Sequence, residues 1–221
     1  MNSSWEETKQ RSKYHFNTKL DDPKFDTVIK LGRIIPNWQD LLPSLIEESK
    51  SVTWRTRGNP KKKSRPESEL SSEDYDLERT GYGKEYVISN LNYNVPRELE
   101  RISEAFALND CMTRIHVQHP GQMWNLHLDK LEKWDRENPQ SIMRIMIQLT
   151  DWQQGHFWSY GNYTFTRWKA GDITTFDWIN VPHCTANAGH TPRVTLQLTG
   201  IKTEETDKFL IKLRNHQEIL L

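Results

Sequence analysis

Hydrophobic positions along this chain follow two different periods, and the change falls near residue 111. Before it, spacings of three and four predominate. Trp38, Leu41, Leu42, Leu45 and Ile46 share one helical face, and Pro43 suits the first turn of such a helix. Leu99, Ile102 and Phe106 mark a second helix, with Asn94 as its expected cap and a start near Pro96. Val28–Gly32 and Tyr86–Ile88 read as short strands. From Cys111 the period becomes two. Candidate strands are 111–119, 122–128, 142–149, 156–158, 162–168, 172–177, 181–185 and 193–200, with turn residues between them. Phe209, Leu213 and Leu220 return to helical spacing and predict a C-terminal helix over about 203–220. Many short strands in succession predict a mainly-β chain closed into a jelly-roll barrel.

Two segments break the pattern. Residues 1–23 are polar and expected to be loosely ordered. Within 55–79, a basic block (Arg55, Arg57, Lys61, Lys62, Lys63, Arg65) meets an acidic one (Glu67, Glu69, Glu73, Asp74, Asp76, Glu78), with few apolar residues. Such a stretch buries too little surface to offset its ordering entropy, so it is expected to be a mobile flap over the substrate entrance. The remainder, 24–221, is read as a single domain whose barrel occupies about 111–200.

Composition narrows the function classes. The chain has 221 residues, with 30 Lys+Arg balanced by 30 Asp+Glu. A net charge of zero gives no basic field for nucleic acid or an anionic membrane. No apolar run approaches the length of a membrane span. The polar, acidic opening Met1–Glu7 is unlike a secretory signal. Two cysteines, Cys111 and Cys184, are too few for a disulfide framework and read as reduced, packed thiols. These features predict a soluble cytoplasmic protein.

The candidate chemistry sits in four residues. His127-Leu128-Asp129 places an imidazole and a carboxylate on one face of an extended segment. His183 follows 54 positions after Asp129. Two His and one carboxylate bind a metal from one side and leave positions open for other ligands, the arrangement of non-haem Fe(II) oxygenases. Arg193, ten residues after His183, opens a half-buried alternating strand, where a guanidinium can grip a carboxylate with two prongs. Thr195 shares its face. Arg144 interrupts the apolar run 142–147 and needs a partner there. An anion grip and a structural ion pair with Asp151, Asp172 or Asp177 both meet that need. His116 is placed to line a pocket and His156 to face a substrate, although a structural role suits each as well. His190 belongs to a turn. Trp152, Trp158, Trp168 and Trp178, four of nine tryptophans, are either core filling or the wall of a substrate pocket.

The run 114–129, with its Pro120-Gly121 turn and Trp124 three before His127, resembles the prolyl hydroxylase branch of the Fe(II)- and 2-oxoglutarate-dependent oxygenases. The run 168–193, with Gly171-Asp172, Phe176-Asp177 and His183-x-x-x-Asn187, is similar to the aspartyl/asparaginyl hydroxylase branch. The resemblance covers about 111–200. It implies a double-stranded β-helix braced by helices on one sheet, with Fe(II) on His127, Asp129 and His183. It also implies that 2-oxoglutarate and O2 take the open positions. Arg193 and Thr195 would hold the distal carboxylate of 2-oxoglutarate, with Trp124, Gln118 and Arg144 nearby. Trp124 and Gln118 stand where the prolyl hydroxylase pattern has tyrosines. Asn187 would orient a ligand by a hydrogen bond. The implied reaction is hydroxylation of an amino-acid side chain in a small-molecule, peptide or protein substrate, with release of succinate and CO2. Alternatives are a nucleic-acid demethylase of the AlkB type and a non-catalytic, metal-binding cupin-like module. The first usually carries a second Arg six residues after the cosubstrate Arg; Thr199 stands there instead.

Overall fold

A computed structural model describes residues 26–49, 90–92, 95–129, 131–132, 134–216 and 218–221. The expectations for 1–23, for the charged segment 55–79 and for a strand at Tyr86–Ile88 lie outside the described residues.

Eight strands with two-residue periodicity form the barrel. They are β3 (Asn109–Gln118), β4 (Met123–His127), β5 (Ile142–Gln148), β6 (His156–Tyr160), β7 (Tyr163–Phe165), β8 (Asp172–Thr175), β9 (His183–Asn187) and β10 (Arg193–Ile201). Each predicted strand is present, with ends shifted by a few residues. Strands β3, β10, β5 and β8 lie side by side in the larger sheet. Strands β4, β9, β6 and β7 make up the smaller one. All of these pairings are antiparallel. Successive strands thus alternate between two four-stranded walls, except that β6 and β7 form a hairpin within the smaller one, the jelly-roll or double-stranded β-helix arrangement. The larger sheet extends to seven strands through β1 (Ile29–Ile34), β2 (Asn90–Asn92) and β11 (Glu218–Ile219).

The two faces of the larger sheet differ because its strands alternate. Ile115 and Val117 of β3, Ile145 and Ile147 of β5, and Val194, Leu196 and Leu198 of β10 point outward. They pack in one apolar cluster with helices α1 (Leu42–Ser49), α2 (Arg97–Phe106) and α3 (Glu204–His216). Leu45, Leu99, Ile102, Phe106, Leu210 and Leu213 are the buried helical contributions. The helices therefore brace one sheet from outside. A second cluster, built on Trp158, Tyr160, Phe165, Trp168, Phe176 and Trp178, fills the space between the walls. Three of the four tryptophans singled out above are buried there, and Trp152 packs against the same cluster.

Two helix expectations need correction. The N-cap of α2 is Pro96, with no side-chain capping bond, and Asn94 lies outside the described residues. Helix α3 ends at His216, and Leu220 is 70% exposed beyond it. The chain instead pairs β11 in parallel with β1.

Candidate functional site

The inward face of the larger sheet is polar. Arg193, Thr195, Gln197 and Thr199 alternate along β10 and are all buried. They lie opposite Gln118, His116, Arg114 and Met112 on β3, and Thr195, Gln197 and Thr199 lie opposite Gln148, Met146 and Arg144 on β5. This ladder forms one wall of a partly open cavity. Trp124, His127, Trp158, Phe176, His183 and Thr185 line it from elsewhere.

Cross-strand register brings the distant ligands together. His127, the last residue of β4, lies opposite His183, the first residue of β9, and their rings are 4.2 Å apart. The register shifts between Trp124 and His127. One extra residue on β4 puts these two positions, three apart, on the same face, and their rings stack at 5.6 Å. Asp129 lies just past the end of β4 rather than within a strand. One ligand atom from each of His127, Asp129 and His183 falls within 4.8 Å of the other two. Asp129 Oδ1 is 3.7 Å from His127 Nε2, and Oδ2 is 3.8 Å from His183 Nε2.

The electrostatics suit a cation. Burial, then the neighbouring His127, pushes the His183 imidazole down to about 3, leaving it neutral with a lone pair at ordinary pH. Its Nδ1 lies 3.5 Å from the Val181 carbonyl, so donation there would leave Nε2 as the ligand atom. Burial raises the Asp129 carboxyl, but Arg144 foremost, with His183 and His127, more than offsets this and holds it well below the usual carboxylate range. A deprotonated N,N,O donor set on one side of a cavity fits a divalent ion.

Arg144 resolves differently from either expected pairing. Its Nη1 donates to Asp129 Oδ2 at 2.5 Å, and its Nε donates to Thr199. Its carboxylate partner is thus the candidate metal ligand itself. Asp151, Asp172 and Asp177 are engaged elsewhere, with Lys169, Arg33 and the 177–180 turn. The Arg144 and Asp129 side chains are 5% and 9% exposed, so the charge of each depends on the other.

Arg193 is 3% exposed, and its partners among the described residues are neutral. Its Nε and Nη2 donate to Gln118 Oε1, and Nη1 donates to Thr195 Oγ1, which in turn donates to Gln148. The guanidinium lies 4.4 Å over the Trp158 ring. Burial drives it down to about 9, still charged at neutral pH. Two buried donors beside this network, Trp158 Nε1 and Gln148 Nε2, have no hydrogen-bond partner among the described residues. A buried cation without a carboxylate, beside orphaned donors, fits the distal carboxylate of 2-oxoglutarate. Gln118 does not line the cavity; it holds Arg193 from behind.

Asn187 also departs from its expected role. Its Nδ2 donates to the Gln118 and Thr191 carbonyls at 2.8 Å, and its Oδ1 accepts from Gly189 N at 3.0 Å. It pins the turn leading into Arg193 rather than a ligand. Gly155 supports the same turn. A Cβ there would lie 2.4 Å from Gly189 N, and its φ of +93° also favours glycine. His156 does not line the cavity; its ring stacks on Trp168 and its Nε2 meets the Thr191 carbonyl at 3.0 Å. His190 is exposed in the turn. His116 lines the cavity as expected, and so does Cys184, whose thiol is pushed up by burial. Sequence reasoning missed Arg114, Gln197 and Phe176. Phase along β3 and β10 was the available signal for the first two.

No protein-family model matches the sequence, and no curated relative was found. Partial likeness exists to several solved structures. A predicted oxalate decarboxylase from Thermotoga maritima is 16% identical, over 51% of this chain and 80% of that one, with a TM-score of 0.34. A cupin 2 conserved barrel domain protein from Salinispora arenicola is 13% identical, over 56% and 84%, at 0.32. An uncharacterized protein with a double-stranded β-helix domain from Klebsiella pneumoniae is 22% identical, over 43% and 70%, at 0.30. Strand order and register, rather than these overlaps, define the chain as a jelly roll with a candidate metal-binding triad. Among the described residues no helix is long and apolar enough to cross a membrane.

Proposed function

We propose that this protein is an Fe(II)- and 2-oxoglutarate-dependent dioxygenase that hydroxylates an amino-acid side chain, free or in a peptide. The observation that carries the reading is a pairing of two features in one cavity. A His-Asp-His cluster lies within metal-binding distance, and the same cavity contains a buried arginine that has no carboxylate partner among the described residues. His127, Asp129 and His183 would hold the ion. Bound iron would supply oxygen activation coupled to oxidative decarboxylation of 2-oxoglutarate and hydroxylation of a C–H bond.

The chain's own residues bind, orient and exclude water. Arg193, fixed by Gln118 and Thr195, grips the distal carboxylate of 2-oxoglutarate and sets its direction toward the triad. Arg144 orients the Asp129 carboxylate and offsets its charge, so the donor set stays deprotonated in a buried place. Phe176 packs edge-on against the His183 ring at 4.7 Å, and Trp124 stacks on His127; both shield the ligands from solvent.

One observation favours a second reading, a metal-binding module without oxygenase activity. Arg144 already takes one oxygen of the ligand carboxylate, which weakens Asp129 as a donor. Incubation with Fe(II), 2-oxoglutarate and O2 separates the two. The oxygenase reading expects oxygen-dependent succinate formation, lost in His183→Ala. Stoichiometric metal binding with no oxygen-dependent succinate, across a panel of free amino acids and capped peptides, would leave the binding module.

A further inference from the structure

The cavity holds three arginines but one carboxylate. Arg144 pairs with Asp129, and Arg193 is committed, in the reading above, to 2-oxoglutarate. Arg114 is left over. It is 8% exposed and lines the cavity, and among the described residues its one side-chain hydrogen bond runs from Nε to Gln197 Oε1. The same oxygen meets His116 Nε2 at 2.8 Å. Gln197 therefore fixes the guanidinium by its inner edge. The outer edge, Nη1 and Nη2, has no partner among the described residues. That is the edge a planar carboxylate takes with two parallel hydrogen bonds.

We propose that Arg114, held by Gln197, is a second anion subsite, which binds a carboxylate on the substrate itself. The assignment rests on the oxygenase reading for the identity of the first anion. The two subsites are separate in the sheet. Arg193 lies opposite Gln118, four residues along β3 from Arg114, which is roughly 13 Å of extended chain. Arg114 and Asp129 line the same cavity, and the Arg114 charge helps hold the Asp129 carboxyl low, so an anion on Arg114 faces the metal-ligand side. Met146 lies opposite Gln197 on β5, and Trp124 packs 5.7 Å from the His116 ring. The substrate matching this corner has a short apolar body ending in a carboxylate. A free amino or organic acid and an acidic residue of a peptide share that chemistry.

Matched pairs of an acid and its primary amide test the subsite. Leucine against leucinamide (for the α-carboxylate), aspartate against asparagine, glutamate against glutamine, butyrate against butyramide, and capped pentapeptides with a central Asp or Asn are titrated calorimetrically into protein loaded with Mn(II) and 2-oxoglutarate. The expected result is that at least one acid binds tenfold or more tighter than its amide. Preference confined to the free acids, or to the peptides, identifies the source. In Arg114→Gln the preference falls below threefold, while 2-oxoglutarate affinity changes by less than threefold; Arg114→Lys keeps part of the preference. The subsite is overturned if the parent binds 2-oxoglutarate but prefers no acid in any pair, or if Arg114→Gln keeps the preference. Failure of the parent to bind 2-oxoglutarate at all would instead count against the oxygenase reading. The parent comparison decides the matter even if a variant misfolds.

Discussion

Replacing Arg193 with Met probes the cosubstrate reading quantitatively. The guanidinium is buried against neutral partners and has no carboxylate, so the ligand-free protein gains little from its charge. The hydrogen bonds lost to Gln118 and Thr195 oppose the relief of desolvating a cation, and the net change in ligand-free stability should be within about 1 kcal/mol. Binding is different. Removing one partner of a desolvated, charge-assisted pair costs about 2–4 kcal/mol, or roughly 30-fold to 1,000-fold in affinity. At 100 times the parent's Kd, bound 2-oxoglutarate stabilises the protein by about 2.7 kcal/mol; after a 30-fold loss the figure is about 0.9 kcal/mol. For a chain of this length these correspond to Tm rises of roughly 5–11 °C and roughly 2–3 °C. Thermal melts of Mn(II)-loaded protein at fixed 2-oxoglutarate read the difference directly. Equal ligand-induced shifts in parent and variant would refute the assignment of Arg193.

Arg144→Met should leave the buried Asp129 carboxylate unpaired and destabilise the metal-free protein by about 3–5 kcal/mol in urea unfolding, with partial recovery on adding Mn(II). A loss under 1 kcal/mol would show that the pair contributes little. The carboxyl of Asp129 is held low in the fold, so its stabilisation is present at neutral pH and disappears as pH falls below about 4. That acid-side loss should be smaller in Arg144→Met. Asn187→Ala removes three bonds around the 187–191 turn and should cost about 2–4 kcal/mol while also weakening 2-oxoglutarate binding. Calorimetry showing unchanged affinity would mean that the turn does not set Arg193.

The barrel strands were legible because their two faces differ, as on β10, where both are buried but one packs apolar residues under the helices and the other turns polar residues to the cavity; His127, Asp129, His183 and Arg193 stood out by their residue types and positions. The partner of Arg144 was not. Asp129 reaches it only because β4 ends beside β5's inner face, a tertiary fact with no trace in local sequence. The register shift before His127 was equally hidden, so the shared face of Trp124 and His127 looked like spacing without a cause. Asn187 read as a ligand-orienting group because its distance from His183 drew attention, whereas its bonds close a turn. Arg114 passed unnoticed within an ordinary strand pattern; its meaning depends on Gln197 across the sheet. The end of α3 was overextended because Leu220 kept helical phase while the chain turned into β11.

The central claim is that His127, Asp129 and His183 form one metal centre. Anaerobic titration of the parent, His127→Ala and His183→Ala with Fe(II) in the presence of 2-oxoglutarate tests it most directly. The expected result is one ion per chain in the parent and no stoichiometric binding in either variant. Equal binding by parent and His183→Ala would contradict it.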